Sequence, residues 1–154
     1  MAKRSAGILV YRLTGAAPEV FLVHPGGPYW VRKDDGAWTI PKGEIADGEE
    51  PLAAAQREFQ EETGFRIAGD FRELGGFRQP SGKTVFAWAI AGNVIPEDVT
   101  STTFTMEWPP RSGQMQEFPE VDRAGWFTRA DAERKILKGQ ALMLEVLWRM
   151  QGWN

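Results

Sequence analysis

The chain contains no cysteine and only one histidine, His24, among its 154 residues. Disulfides, thiolate nucleophiles and cysteine-ligated zinc are thereby excluded, and a cytoplasmic setting is the default expectation. A single histidine cannot supply a His-rich metal site, and any Ser-His triad would have to use it. Metal chemistry in such a chain rests on oxygen ligands, which suit Mg2+, with Mn2+ as a substitute. Long hydrophobic runs are also missing, so no membrane span is expected. Tyr11-Arg12 interrupts the first apolar stretch, which argues against a leader peptide. Nor is there a basic excess. With a formal net charge of −3, the chain is not expected to bind nucleic acid, since such binding needs Lys and Arg to neutralise phosphates. A small phosphorylated substrate remains open, because a few basic groups and a metal can invert the potential locally.

What is present is an ordinary globular balance, 42% hydrophobic and 25% charged. No repeat, low-complexity tract or linker is visible, and 1–154 is expected to be a single domain, as a monomer or a homodimer. Gly7–Arg12 and Glu19–Val23 have the β-branched and aromatic content of strands, separated by a Thr14–Pro18 turn. An irregular stretch begins at Pro25-Gly26-Gly27-Pro28, and Trp38–Ile40 is a short extended piece stopped by Pro41. Pro51–Thr63 is expected to be a helix, with Pro at its first position and Gly64 just past its end. Further strands are expected over Phe65–Ile67, Phe71–Gln79 and Thr84–Ala91, the last two joined by the Pro80–Lys83 turn. The long stretch from Asn93 to Pro119 contains one alternating segment, Thr103–Trp108. A last strand, Gly125–Thr128, precedes helices over Arg129–Leu137 and Gln140–Met150.

The segment that carries chemistry runs from Gly43 to Phe65. On a helix, Leu52, Ala55 and Phe59 form one apolar stripe, while Glu58, Glu61 and Glu62 fall roughly 60° to 160° to one side of Phe59. Two carboxylates about 4 Å apart repel by roughly 4 kcal/mol at an effective dielectric near 20. If this helix packs into a domain, a proton or a divalent cation has to relieve that repulsion. Arg57 lies one turn before Glu61 and can brace it. Taken alone, such a run of acids is more often a solvated helix face.

The surrounding residues decide between these readings. The segment resembles the Nudix box, G-x5-E-x7-R-E-U-x-E-E-x-G-U, and matches it at Gly43, Glu49, Arg57, Glu58, Phe59, Glu61, Glu62, Gly64 and Phe65. Ser5-Ala6-Gly7 leading into a strand and Trp38–Gly43 leading into the box look like family features, and the resemblance covers most of the chain. It implies an α/β fold, an α/β/α sandwich with a central mixed sheet. It also implies Mg2+-dependent hydrolysis of a nucleoside diphosphate linked to another group. Glu58, Glu61 and Glu62 would then be metal ligands together with the Gly43 carbonyl, and Glu58 or Glu61 would be the general base. Glu49 and Arg57 would brace the catalytic loop and helix.

A further acid from outside the box is expected at Glu120, six residues before Trp126, with Glu117 as competitor. Lys42, Arg78, Lys83 and Arg111 are candidates for phosphate contacts, and Tyr29, Trp30, Phe77 or Trp108 for stacking on a base. Met106–Gly113 is a candidate substrate-facing loop or, equally, a rigid connector. Among branches of the family the nearest resemblance is to dinucleoside-polyphosphate hydrolases, although tyrosines stand only at 11 and 29, not after the box. Nucleoside triphosphates rank with that class, then ADP-ribose or another nucleotide sugar. A non-catalytic nucleotide-binding module is the alternative of a different kind.

Overall fold

The computed structural model describes residues 3–15 and 17–154. Strands β1 (Arg4–Thr14) and β2 (Ala17–Pro25) are almost continuously apolar through their centres, the pattern of strands covered on both faces. Successive side chains point to opposite sides. Ile8, Val10, Phe21 and Val23 therefore join one hydrophobic cluster, while Leu9, Val20 and Leu22 join another.

The remaining elements are β3 (Lys42–Glu44), α1 (Pro51–Thr63), β4 (Arg72–Arg78), β5 (Thr84–Ala91), β6 (Thr103–Glu107), β7 (Met115–Pro119), β8 (Val121–Thr128), α2 (Arg129–Lys135) and α3 (Ala141–Gln151). The main sheet runs β4-β5-β1-β2-β8, with β3 paired to β1 off that path, and β6–β7 form a separate ribbon. The β1–β5 pair is parallel and the other pairs of the main sheet are antiparallel, so the sheet is mixed. Ala54, Ala55 and Phe59 of α1 pack on one face; Ala132 of α2 and Met143, Leu144, Leu147 and Trp148 of α3 pack on the other. This is the expected α/β/α sandwich. No helix among the described residues is long and apolar enough to cross a membrane.

One irregularity of the sheet positions everything that follows. β1 and β2 pair only near their shared turn, from Thr14↔Ala17 to Tyr11↔Val20. Beyond it the strands part, and the chain from Trp38 to Glu44 fills the wedge. Thr39 bridges Val23, and Lys42–Glu44 pair with Gly7–Ser5. The close approach requires Gly7, because a Cβ there would lie 2.6 Å from the Lys42 Cβ.

Several sequence expectations are corrected. Phe65–Ile67 is not a strand: Gly64 takes a left-handed φ of 81° and turns the chain off the helix. The Phe65 N–H then donates to the Thr63 hydroxyl at 3.1 Å, and Phe65 and Ile67 serve as a lid on the α1-side core. Trp38–Ile40 is the short extended piece expected, joined to its neighbours by isolated bridges at Trp38 and Thr39. β3 and β7 were not anticipated; β7 turns half of the long Asn93–Pro119 stretch into a ribbon with β6.

Candidate active site

Arg57 organises the acidic face of α1. Its Nε and Nη2 donate to the two carboxylate oxygens of Glu49 at 2.9 and 3.0 Å, and its Nη1 donates to Glu58 at 2.8 Å and to Glu61 at 3.2 Å. Nη2 also reaches the Glu44 carbonyl at 3.0 Å, tying the helix to the end of β3. The planar fork of arginine suits this many acceptors at once. Glu49 in turn accepts from the Ala46 N–H at 3.0 Å. Its carboxyl is held down to about 2, chiefly by Arg57 and then by that backbone donor. Arg57 and Glu49 therefore clasp the box loop to the helix.

Gly43 lies directly over Glu58, and a Cβ at this position would collide with the Glu58 carboxyl group. The missing side chain lets backbone and acid share one small space. Burial pushes the Glu58 carboxyl above its ordinary value, against the pull of Arg57. Glu62, one turn further along the helix, accepts the Lys42 N–H at 3.2 Å. Its carboxyl is pushed up to about 8, first by burial, with Lys42 opposing and the charges of Glu58 and Glu120 adding to the rise.

Glu120 is thus within electrostatic reach of the box, and the backbone explains how. Thr102 N–H donates to the Glu61 carbonyl at 2.8 Å, Glu120 N–H to the Thr102 carbonyl at 2.9 Å, and Gly26 N–H to the Glu120 carbonyl at 3.0 Å. A ladder of main-chain bonds carries the acid from the ribbon to the end of α1. Glu117, the competitor, lies within β7 opposite Thr105 and is exposed.

The donors fit a hard divalent cation: carboxylates, a carbonyl at a position that tolerates no Cβ, and no sulfur or imidazole. Among the described residues no three acids or histidines are gathered around one point, and Arg57 Nη1 bonds both Glu58 and Glu61.

The candidate phosphate ligands divide. Lys42 and Lys83 are brought together at this edge; burial and then the Lys42 charge push the Lys83 ammonium below its ordinary value, with Glu44 and Glu58 opposing. Arg78 is exposed at the end of β4, paired with Thr84 on the sheet face opposite the buried Phe77 and Val85. Arg111 is displaced to the tip of the β6–β7 ribbon, with a φ of 63°, and its N–H bonds Glu107 at 2.9 Å. Neither arginine makes a hydrogen bond or ion pair with the box acids among the described residues. Phe77 is core, not a stacking surface.

His24 is fully buried, with Nδ1 2.7 Å from Asp122 and Nε2 2.6 Å from the Lys33 carbonyl, and it is structural. Next to it opens a cleft of about 360 Å³ lined by Pro25–Trp30, Phe104, Met106 and Glu120. The Pro25–Pro28 run reads in the sequence only as irregular chain; nothing in it signals that it forms a wall with β6, which lies far along the chain.

Comparison with known proteins agrees with this geometry. The sequence profile of the NUDIX domain matches residues 1–147. Nudix hydrolase 25 of Arabidopsis thaliana is 66% identical over 29 residues, which are 19% of this chain and 17% of that protein. The asymmetrical bis(5'-nucleosyl)-tetraphosphatase of Rattus norvegicus is 34% identical over 102 residues, covering 57% of this chain and 64% of that one. These curated relatives are thus spanned only in part. In fold, the chain is similar to a crystal structure of a C. elegans Ap4A hydrolase binary complex, with a TM-score of 0.70, 23% identity and 98% of each chain covered.

Proposed function

The chain belongs to the NUDIX domain family, and on that premise we propose that it hydrolyses a phosphoanhydride bond in a nucleoside diphosphate linked to a second group. The preferred substrates are dinucleoside polyphosphates or nucleoside triphosphates, with ADP-ribose or another nucleotide sugar next. The observation that carries this reading is the intact acidic site: Arg57 clasping Glu49, Glu58 and Glu61, with Glu62 and Glu120 at its rim and two lysines beside it.

Nudix hydrolases generally use divalent metal ions. In this chain Glu58, Glu61, Glu62, Glu120 and the Gly43 carbonyl would hold the ion, and Mg2+ is the choice that oxygen donors favour, with Mn2+ as substitute. When bound, such an ion supplies Lewis acidity toward the phosphate and the attacking water. Lys42 and Lys83 orient and neutralise the phosphate chain. Water attacks phosphorus, Glu58 or Glu61 accepts its proton, and the anhydride P–O bond breaks with its electron pair leaving on the departing phosphate. Arg57 and Glu49 keep the accepting carboxylate in place.

The test is product release from a nucleotide panel, with and without Mg2+, for the wild-type chain and Glu61→Gln. Mg2+-dependent cleavage that drops at least about a hundredfold in the variant is the expected outcome. Silence across the panel, with nucleotides still raising the melting temperature, would replace the hydrolase by a nucleotide-binding module.

A further inference from the structure

The two lysines beside the box come from different elements. Lys42 opens β3, and Lys83 closes the turn between β4 and β5. Each ammonium repels the other, so their separation depends on how firmly the two backbones are fixed.

The Lys83 side is fastened at one point. The turn closes on itself, with the Gln79 N–H donating to the Lys83 carbonyl at 2.7 Å and the Gly82 N–H to the Gln79 carbonyl at 2.9 Å. Both amide hydrogens of the Gln79 side chain are then used. Nε2 donates to the Phe77 carbonyl at 3.1 Å, locking the side chain onto its own strand, and to the Gly139 carbonyl at 3.0 Å. Gly139 is the middle residue of a single 3-10 turn, Lys138–Gln140, that precedes α3. Among the described residues, no other hydrogen bond ties residues 79–83 to a distant part of the chain. The fit is tight: a Cβ at Gly139 would lie 2.6 Å from the Gln79 Oε1 and 3.0 Å from the Pro80 Cδ.

The same turn holds the other lysine. Gln140 accepts the Ile40 N–H at 3.0 Å and donates to the Thr39 hydroxyl at 2.8 Å, just ahead of Lys42. Adjacent residues of one short turn thus grip the segment that leads to Lys42 and the hairpin that carries Lys83.

Resting on the hydrolase reading, we propose that the Lys138–Gln140 turn is the spacer of the phosphate site and that Gln79 is a positioning residue, whose bond to Gly139 sets where Lys83 stands relative to Lys42. Gln79 acts only through Lys83. A polyphosphate chain engages both ammoniums along its length, so the tie governs substrate binding ahead of the chemical step.

Two substitutions break the tie from opposite sides. Gln79→Met keeps the length of the side chain and removes both donors. Gly139→Ala, in a helical turn, pushes away the flexible end of Gln79 without backbone strain. Each should raise KM for diadenosine tetraphosphate by roughly three- to tenfold with kcat nearly unchanged. In a Lys83→Ala background the same substitutions should add nothing further. A second reading needs no turnover. In the chain labelled at lysine Cε, the Lys83 signal, identified by its loss in Lys83→Ala, should titrate below the ordinary 10.5 in the wild type and move up toward it in both variants, as burial and the Lys42 charge are relieved. Lower melting temperatures with KM and the Lys83 titration unchanged would make Gln79 merely structural and overturn the proposal. Effects on KM that simply add to those of Lys83→Ala would overturn it too, because Gln79 would then act elsewhere. If no nucleotide is hydrolysed, the hydrolase reading falls, and the Lys83 titration still decides whether Gln79 positions the lysine.

Discussion

Glu62 is the residue on which burial and charge converge, and it is one of the proposed metal ligands. Its carboxyl titrates near 8 in the folded chain against an ordinary 4.5, because burial and the nearby Glu58 and Glu120 disfavour its charge more than Lys42 favours it. The folded state therefore holds a proton that the unfolded state has already released. Stability contributed by the protonated carboxyl is complete below about pH 4.5 and is lost as pH rises through about 8. Thermal melts of the metal-free chain should show this fall, with a loss of roughly 1–3 kcal/mol after allowing for solvent reaching part of the group. Glu62→Gln should flatten the slope across this window. Mg2+ added at about pH 8 should then stabilise the wild-type chain and do little for the variant. An unchanged pH slope in Glu62→Gln would mean that another group governs it.

At the scale of elements, α1 shows what can be read from residues and what cannot. Its limits were legible because Pro51 and Gly64 punctuate it, and its faces because Phe59 and the acids repeat at helical spacing. Gly64 should be indispensable as the helix terminator. An alanine would be strained at φ 81° and would place its Cβ 2.9 Å from the Thr100 carbonyl. Gly64→Ala should cost about 1–2 kcal/mol in denaturant unfolding with the slope unchanged. A cost below about half of that would show that the turn relaxes freely. The box acids, Arg57 and the clasp on Glu49 were equally readable, since all lie within one local segment. The β3 strand was not: Lys42–Glu44 is short, polar and ordinary in composition, and becomes a strand only because β1 and β2 part. β7 escaped for a similar reason, since Met115–Pro119 is mostly exposed and owes its pairing to β6 alone. Arg111 drew attention as a candidate phosphate contact, but it sits in the ribbon turn beyond β6, bonded to Glu107.

Across the whole molecule, the site depends on parts of the chain that never touch its acids. The segment leading into the box fills the wedge between β1 and β2, and it is fastened from the far side of the sheet by Gln140. That side chain is fully buried; its Oε1 accepts the Ile40 N–H at 3.0 Å and its Nε2 donates to the Thr39 hydroxyl at 2.8 Å. Leu137 N–H adds a bond to the Trp38 carbonyl at 2.7 Å, so the turn between α2 and α3 grips Trp38, Thr39 and Ile40 in succession. Lys42, which donates to Glu62, and Gly43, which roofs Glu58, follow just beyond Pro41, in β3. Gln140→Leu keeps the apolar volume but strands the buried Ile40 N–H, a loss of about 1–3 kcal/mol, while the Thr39 hydroxyl keeps its bond to the Ile40 carbonyl at 2.8 Å. The larger consequence is positional. With Ile40 released, Lys42 and Gly43 lose their register against α1, and the hydrolysis rate should fall by roughly tenfold or more although the substitution lies on the opposite face of the sheet. Circular dichroism should show the fold retained while nucleotide turnover drops. A variant that is destabilised yet turns over at the wild-type rate would show that β3 pairing with β1 alone is enough to hold the box in place.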